Sequence, residues 1–198
     1  MTRSLKPGKR ILILCDGMTE YLYASALKRE LSREDRRGLQ IEIDHHAGGN
    51  PLTMVNTALK KEKLAVKEKT PYSKIWLFFD HDNSPGLSKA FQLIKNNKYQ
   101  TAYSAICIEH WFILHFEECK KAFSSAKQAL KHLQNLWPAY HKTKVKHYFL
   151  LKDQLPVAIK RAESIRRAAD NALPPDRQNP YFTVDKLVDF FNKQARQP

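Results

Sequence analysis

Residues 11–17, Ile-Leu-Ile-Leu-Cys-Asp-Gly, join an unbroken apolar run to an acid and a glycine. A short continuous apolar run of this kind is typical of a strand buried on both faces of a parallel sheet. Farther along, Tyr23, Leu27 and Leu31 recur at four-residue spacing among charged side chains, which predicts an amphipathic helix. Residues 11–31 therefore predict the first strand and helix of an α/β fold.

The same alternation of strand and helix continues along the chain. Further strands are predicted over Ile41 to Ile43, Ile75 to Phe79 and Thr101 to Cys107. A helical pattern follows each strand, and the last one runs from Glu109 to Phe116. Strands separated by helices imply a mainly parallel sheet with helices on both faces.

Beyond Cys119 the pattern is helical, around residues 121–136, 154–170 and 183–194. A chain of 198 residues can bury one sizeable core and is rather short for two domains. We therefore predict a single domain, residues 1–198. It consists of an α/β core over 1–119 and a helical, basic extension over 120–198.

The net charge of +14 is concentrated in this extension. From Lys120 to Arg167 there are twelve Lys or Arg residues and two acids, with Trp137, Tyr140 and Tyr148 interleaved. A solvated lysine-rich helical face is one interpretation. Basic residues mixed with aromatic rings favour nucleic-acid binding somewhat more. The candidate contacts are Lys142, Lys144, Lys146 and Arg161.

No apolar stretch approaches the roughly 18 residues that a membrane helix needs, and the run from Ile11 to Cys15 is too short for the core of a signal peptide. We expect a cytoplasmic protein without membrane contact. The cysteines, Cys15, Cys107 and Cys119, have no paired zinc spacing and leave an odd thiol in any disulfide scheme. We interpret them as small buried hydrophobic residues.

Acidic side chains follow two of the apolar strands. Asp16 and Glu20 come after the first strand, and Asp80 and Asp82 come after the third. Open parallel sheets bind ligands outside the carboxyl ends of their strands, so these acids are expected to face each other. Crowded carboxylates repel, and Mg²⁺ or Mn²⁺ relieves the repulsion. Either pair taken alone could instead be a turn or a helix cap.

Glu109, which begins the predicted helix after the fourth strand, allows two interpretations. Glu109 is either another carboxylate bordering the metal or an acid favoured by the helix dipole at a helix start. Trp111, Phe112 and Phe116 are expected in the core, and His115 is expected to be a buried histidine without a ligand role.

Several stretches of the chain match the motifs of one family: Cys15 to Glu20 with Tyr23, Phe79 to Asp82, Glu109 to Glu117, Tyr140 with Lys142 and Lys144, and Asn179 to Tyr181. By these stretches the chain resembles RloB-type proteins over roughly residues 9–193. This resemblance implies a TOPRIM-like, Rossmann-like fold related to topoisomerase and primase catalytic domains and to OLD-family nucleases.

The resemblance also implies roles for individual residues. In such domains a Glu after the first strand acts in acid–base chemistry, and this position is Asp16 here. The acids of a later Asp-x-Asp bind Mg²⁺, and they match Asp80 and Asp82. A further departure from the family is Ala105-Ile106, where Asn-Pro is typical. RloB-type proteins are usually encoded beside restriction–modification or ATPase partners and are thought to act in antiviral defence.

These observations predict a Mg²⁺-dependent nuclease that cleaves RNA, tRNA included, or DNA in antiviral defence by abortive infection. Asp80, Asp82, Asp16 and Glu109 would hold the metal. Asp16 or Glu20 would handle the proton, and Lys142 and Lys144 would steady the scissile phosphate. The alternatives are a non-catalytic module that binds nucleic acid or nucleotides and a regulatory subunit of an AAA- or ABC-type ATPase. Formation of a homodimer stays open.

Overall fold

A parallel sheet lies at the centre of the fold. The computed structural model describes residues 8–45, 50–80, 86–144, 146–169 and 172–195. Within these ranges the strands are β1 (Lys9–Cys15), β2 (Leu39–Asp44), β3 (Lys74–Asp80) and β4 (Gln100–Ser104). Their order in the sheet is β2-β1-β3-β4, and every neighbouring pair is parallel. The predicted α/β fold with a parallel sheet is confirmed.

Helices connect the strands and form the part of the chain after β4. In the same ranges they are α1 (Met18–Glu30), α2 (Pro51–Lys67), α3 (Leu87–Asn96), α4 (Ile108–Ile113), α5 (Ala126–Leu136), α6 (His147–Leu151), α7 (Leu155–Ala168) and α8 (Val184–Gln194). Helix α2 begins at Pro51 because the Asn50 side chain caps it by accepting a hydrogen bond from the backbone N–H of Thr53 at 2.8 Å.

The helices cover both faces of the sheet, as predicted. On one face, Leu12 and Leu14 of β1 pack with buried residues of α2 and α3. On the other face, Ile11 and Ile13 pack with α1, and the same hydrophobic cluster includes residues of α4 to α8. The alternation of side chains along β1 therefore supplies both cores. The helical extension packs on the face that α1 occupies.

The chain departs from the prediction after β4. Strand β4 ends at Ser104, not at Cys107, because the chain turns at Ile106, which has a φ of 73°. The Ser104 hydroxyl closes this turn by donating to the carbonyl oxygen of Cys107 at 2.7 Å. A positive φ is unfavourable for a β-branched side chain, so the backbone is strained at this point.

Helix α4 is shorter than predicted. It ends at Ile113 because the next turn tightens, with the Leu114 N–H donating to the Trp111 carbonyl three residues before it. Trp111 and Phe112 lie in the core as expected, but the prediction for Phe116 is wrong, since it is 39% exposed beyond the helix end.

Other predictions from composition and pattern can be compared with the structure. The cysteines are free and buried, as expected. His115 is buried, and its Nδ1 lies 3.2 Å from the Trp111 carbonyl oxygen. Helix α6 was not predicted. In the described parts of the chain, no helix is both long and apolar enough to cross a membrane.

Candidate functional site: an acidic pocket at the sheet edge

Acidic side chains meet at the carboxyl ends of three adjacent strands. Asp16 directly follows β1, Asp80 is the last residue of β3, and Glu109 is the second residue of α4 after β4. Cys15 is paired with Phe78 and Asp80 with Ser104, so the three strands end at nearly the same level. Asp16, Asp80 and Glu109 therefore lie at the same edge of the sheet, and together with Glu20 we call them the acidic pocket; their role as metal ligands stays a prediction.

Glu20 is the buried acid of α1 at this edge. Its side chain is 5% exposed, and its carboxylate lies back against Gly17. A Cβ at position 17 would lie 2.9 Å from Glu20 Oε2, so any other residue there would displace the end of the Glu20 side chain. Burial, with added repulsion from Asp16 and Glu109, raises the pKa of Glu20 to about 7 although a hydrogen bond from its own backbone N–H opposes the rise. A group with such a pKa can exchange a proton at neutral pH.

Glu109 is the most enclosed acid of the pocket, at 1% exposure. Its Oε1 accepts a hydrogen bond of 2.9 Å from the Tyr140 hydroxyl and lies 3.4 Å from Lys142 Nζ. Partial burial lowers the pKa of Lys142, but Glu109 and then Asp80 outweigh it, and the net pKa is raised. The Lys142 ammonium group is therefore held in its charged form between acids of different strands.

The segment that carries Tyr140 and Lys142 is tied to the α/β core. Thr19 of α1 donates its hydroxyl to the Lys142 carbonyl oxygen at 3.2 Å. His147 Nε2 lies 2.8 Å from the His141 carbonyl oxygen, and the His147 ring stacks on Phe112 at 5.1 Å. The basic extension thus contributes the Tyr140 hydroxyl and the Lys142 ammonium group, whereas the acids come from the α/β core.

The thiol of Cys107 borders Glu109. Burial, followed by repulsion from Glu109, raises the pKa of Cys107, which keeps the thiol protonated. Cys107 is the residue that follows the strained Ile106, and it caps the start of α4. The turn at Ile106 therefore leads from β4 directly into the start of α4, which carries Glu109.

The other predicted site residues lie in different surroundings. Asp82 is outside the described residues. Lys144 and Lys146 are exposed and follow Lys142 in the same segment of the chain. Arg161 donates from Nη1 to the Leu114 carbonyl oxygen at 2.7 Å, which stabilises the end of α4. Their binding of nucleic acid stays a prediction.

Sequence reasoning did not assign a role to the Tyr140 hydroxyl. The signal that was present in the sequence is the Tyr140 and Lys142 element of the family resemblance. That element did not identify Glu109 as the partner of Tyr140, because the two residues are 31 positions apart in the sequence.

The pocket offers oxygen ligands of the hard type that Mg²⁺ and Mn²⁺ prefer. Asp16, Asp80, Glu109 and Glu20 carry such oxygens. Among the described residues, however, the potential ligand atoms that lie within 4.8 Å of one another as a group of three are those of Glu117, Cys119 and His132, and the strand-end acids form no such group.

Fold and site together define a parallel α/β protein with a cluster of acids at the carboxyl edge of its sheet, of which Glu20 and Glu109 are buried. A family model described as RloB-like protein matches residues 11–191. The chain belongs to the RloB-like family. No curated protein and no solved structure matches the chain significantly.

Proposed function

We propose that this protein is a Mg²⁺-dependent, TOPRIM-like nuclease that cleaves phosphodiester bonds in RNA or DNA and acts in antiviral defence. The observation that carries the proposal is the position of Lys142 Nζ, 3.4 Å from Glu109 Oε1, with Asp80 and Glu20 near enough to interact with its charge and Asp16 near enough to interact with Glu20. Acids from three strand ends next to a lysine suit a phosphate group together with a divalent cation.

Glu20 is the group best suited to move a proton. Its pKa of about 7 allows it to accept a proton from an attacking water near neutral pH and to give the proton up again. Asp16, where the family has Glu, is less buried and lies close enough to raise the Glu20 pKa. We therefore assign proton transfer to Glu20 and metal binding to Asp16.

Asp16, Asp80 and Glu109 would hold the metal ion. When bound, Mg²⁺ would supply positive charge to the phosphate oxygens as negative charge develops on them. Lys142 would bind a non-bridging phosphate oxygen, since its ammonium group is charged and 56% of its side chain is exposed. Tyr140 fixes the Glu109 carboxylate by its hydrogen bond and thereby positions it.

The proposal is tested by measuring Mn²⁺ binding and cleavage of labelled RNA and DNA pools with the same variants. Asp80→Asn should weaken Mn²⁺ binding at least tenfold and remove cleavage. Glu20→Gln should remove cleavage while Mn²⁺ still binds. The matched control is Asp153→Asn, which changes an exposed acid on the helical extension and should leave both properties unchanged.

Equal cleavage by the wild type, Asp80→Asn and Glu20→Gln would indicate a contaminating nuclease and overturn the proposal. Binding of nucleic acid without cleavage would favour the second candidate, a non-catalytic binding module. The shorter Asp16 at the position of the family's Glu is the observation that favours this candidate. Cleavage that requires an added AAA- or ABC-type ATPase would identify a subunit of a larger defence complex.

A further inference from the structure

Three side chains with different donor atoms meet beyond the end of α4, outside the acidic pocket. Glu117, Cys119 and His132 each place a potential ligand atom within 4.8 Å of the others. His132 Nε2 and Glu117 Oε1 are 2.7 Å apart. Glu117 and Cys119 are two residues apart in the chain after α4, whereas His132 lies on α5.

The donor set distinguishes this group from the acidic pocket. A thiolate, an imidazole and a carboxylate together are typical ligands of zinc-class transition metals, whereas Mg²⁺ prefers oxygen ligands alone. Donor atoms around tetrahedral zinc lie about 3.3–3.8 Å from each other, as the usual metal–ligand distances require. Atoms within 4.8 Å of one another can reach this spacing through small side-chain adjustments.

Cys119 is the buried member of this group and its backbone is held by a neighbour. Cys119 is 5% exposed, so bulk water has little access to it. Burial raises the pKa of its thiol, and repulsion from Glu117 adds to the rise while the Lys121 backbone N–H and charge oppose it, so a metal ion has to displace the thiol proton. His110 Nε2 lies 3.4 Å from the Cys119 carbonyl oxygen and holds the backbone from the other side.

We propose that Glu117, Cys119 and His132 form a binding site for a zinc-class transition metal, with a fourth position open to water. Binding replaces the thiol proton with the metal ion and releases the proton to solvent. The ion joins the segment after α4 to helix α5. Helices α4 and α5 already pack against each other. This site is independent of the acidic pocket in ligands and in the metal it selects.

The experiment uses Co²⁺ as a spectroscopic substitute for Zn²⁺ on the full chain after treatment with a chelator. The wild type should bind one equivalent with a thiolate-to-cobalt band and the intense visible absorption of tetrahedral Co²⁺. Zn²⁺ should displace the Co²⁺ and remove both signals, whereas a large excess of Mg²⁺ should not. Cys119→Ser should lose the thiolate band, and His132→Gln and Glu117→Gln should each weaken Co²⁺ binding at least tenfold.

Matched controls separate this site from other thiols and acids. Glu118→Gln changes the exposed acid between two proposed ligands and should keep the wild-type affinity. Cys107→Ala and Asp80→Asn alter the acidic pocket and should keep the thiolate band. His132 and Glu117 are partly exposed, so their variants remain informative if Cys119→Ser does not fold.

Absence of a thiolate band in the wild type would overturn the proposal. So would unchanged Co²⁺ affinity in both His132→Gln and Glu117→Gln, because the 2.7 Å contact between these side chains would then be an ordinary ion pair. Loss of the band in Cys107→Ala with its retention in Cys119→Ser would place the metal in the acidic pocket and would equally contradict the assignment.

Discussion

The Tyr140 hydroxyl donates a hydrogen bond of 2.9 Å to Oε1 of Glu109. Tyr140 precedes α6 in the basic extension, and Glu109 is the second residue of the helix that follows β4. The contact therefore joins the two predicted regions of the chain at the acidic pocket. Glu109 is 1% exposed, so water cannot replace the hydroxyl if it is removed.

Tyr140→Phe should lower the free energy of unfolding by about 1–3 kcal/mol, because a buried carboxylate loses a donor. Tyr72→Phe is the matched control, since Tyr72 donates a similar bond of 2.7 Å to the partly exposed Glu42. Water can replace that donor, and the expected loss is below about 1 kcal/mol. Urea denaturation of both variants measures the difference, and equal losses would show that burial of Glu109 does not matter.

Glu20 should make stability fall as pH rises. Its pKa of about 7 in the folded state exceeds the value of 4.5 expected for an exposed glutamate. Between these two values the folded protein keeps a proton that the unfolded chain has lost, so raising the pH favours unfolding. The cost is absent below about pH 4.5, complete above about pH 7 and on the order of 3 kcal/mol.

Glu20→Gln should remove this dependence because glutamine stays neutral. The measurement is the free energy of unfolding at pH 5 and pH 8 without divalent metal, compared between variant and wild type. Glu34→Gln, which alters an exposed acid, should keep the wild-type dependence. A pH profile that is identical in wild type and Glu20→Gln would mean that the Glu20 pKa is not raised.

Asp16→Glu should raise cleavage if the shorter side chain limits the reach of the carboxylate, since a misplacement of about 1 Å can cost on the order of a hundredfold in rate. Asp16→Asn should abolish cleavage. Single-turnover rates on one RNA pool and one DNA pool, with Mg²⁺ and then Mn²⁺, measure both effects. A fall in rate with Asp16→Glu would mean that the pocket has adapted to aspartate, and full activity in Asp16→Asn would contradict its metal-binding role.

Lys142→Ala combined with Lys144→Ala should flatten the dependence of log affinity for nucleic acid on log salt concentration by about one to two units. With fewer phosphate contacts, the protein releases fewer counterions from the nucleic acid when it binds. Lys60→Ala with Lys63→Ala removes the same charge from α2 and should leave the slope unchanged. Equal slopes for the two double variants would show that Lys142 and Lys144 do not contact phosphates.

Arg166→Leu should destabilise the protein by about 3–5 kcal/mol, because it leaves a buried charge without its partner. Arg166 Nη1 and Nη2 bond the two oxygens of Asp185 at 2.8 and 2.7 Å, and Asp185 is 1% exposed. Arg167→Leu is the neighbouring control on an exposed side chain and should cost less than about 1 kcal/mol.

A double variant, Arg166→Leu with Asp185→Leu, should recover part of the loss in the Arg166→Leu protein, because no charge is then left unpaired. Thermal unfolding at one pH ranks the wild type and the variants. If Arg166→Leu destabilised the protein no more than Arg167→Leu, the ion pair between α7 and α8 would not contribute to stability.

The sequence by itself determined the alternation of strands and helices and the position of the acids at strand ends. The run from Ile11 to Cys15 is apolar throughout, because β1 is buried on both faces. Parallel strands end at a common edge, so Asp16 and Asp80 could be expected at one edge without coordinates, whereas Glu109 stayed open between a metal-bordering acid and an acid at a helix start. The prediction of the strands and helices succeeds because it depends on local periodicity and on one general rule of sheet topology.

The tertiary structure alone decided which distant groups complete the pocket and how they titrate. The contact of Lys142 and Tyr140 with Glu109 depends on how the segment after α5 folds back, and no local pattern specifies that path. The raised pKa of Glu20 depends on burial by neighbours from other segments. Likewise, Cys119 and His132 approach each other through the packing of α5, whereas their sequence spacing suggested no metal site.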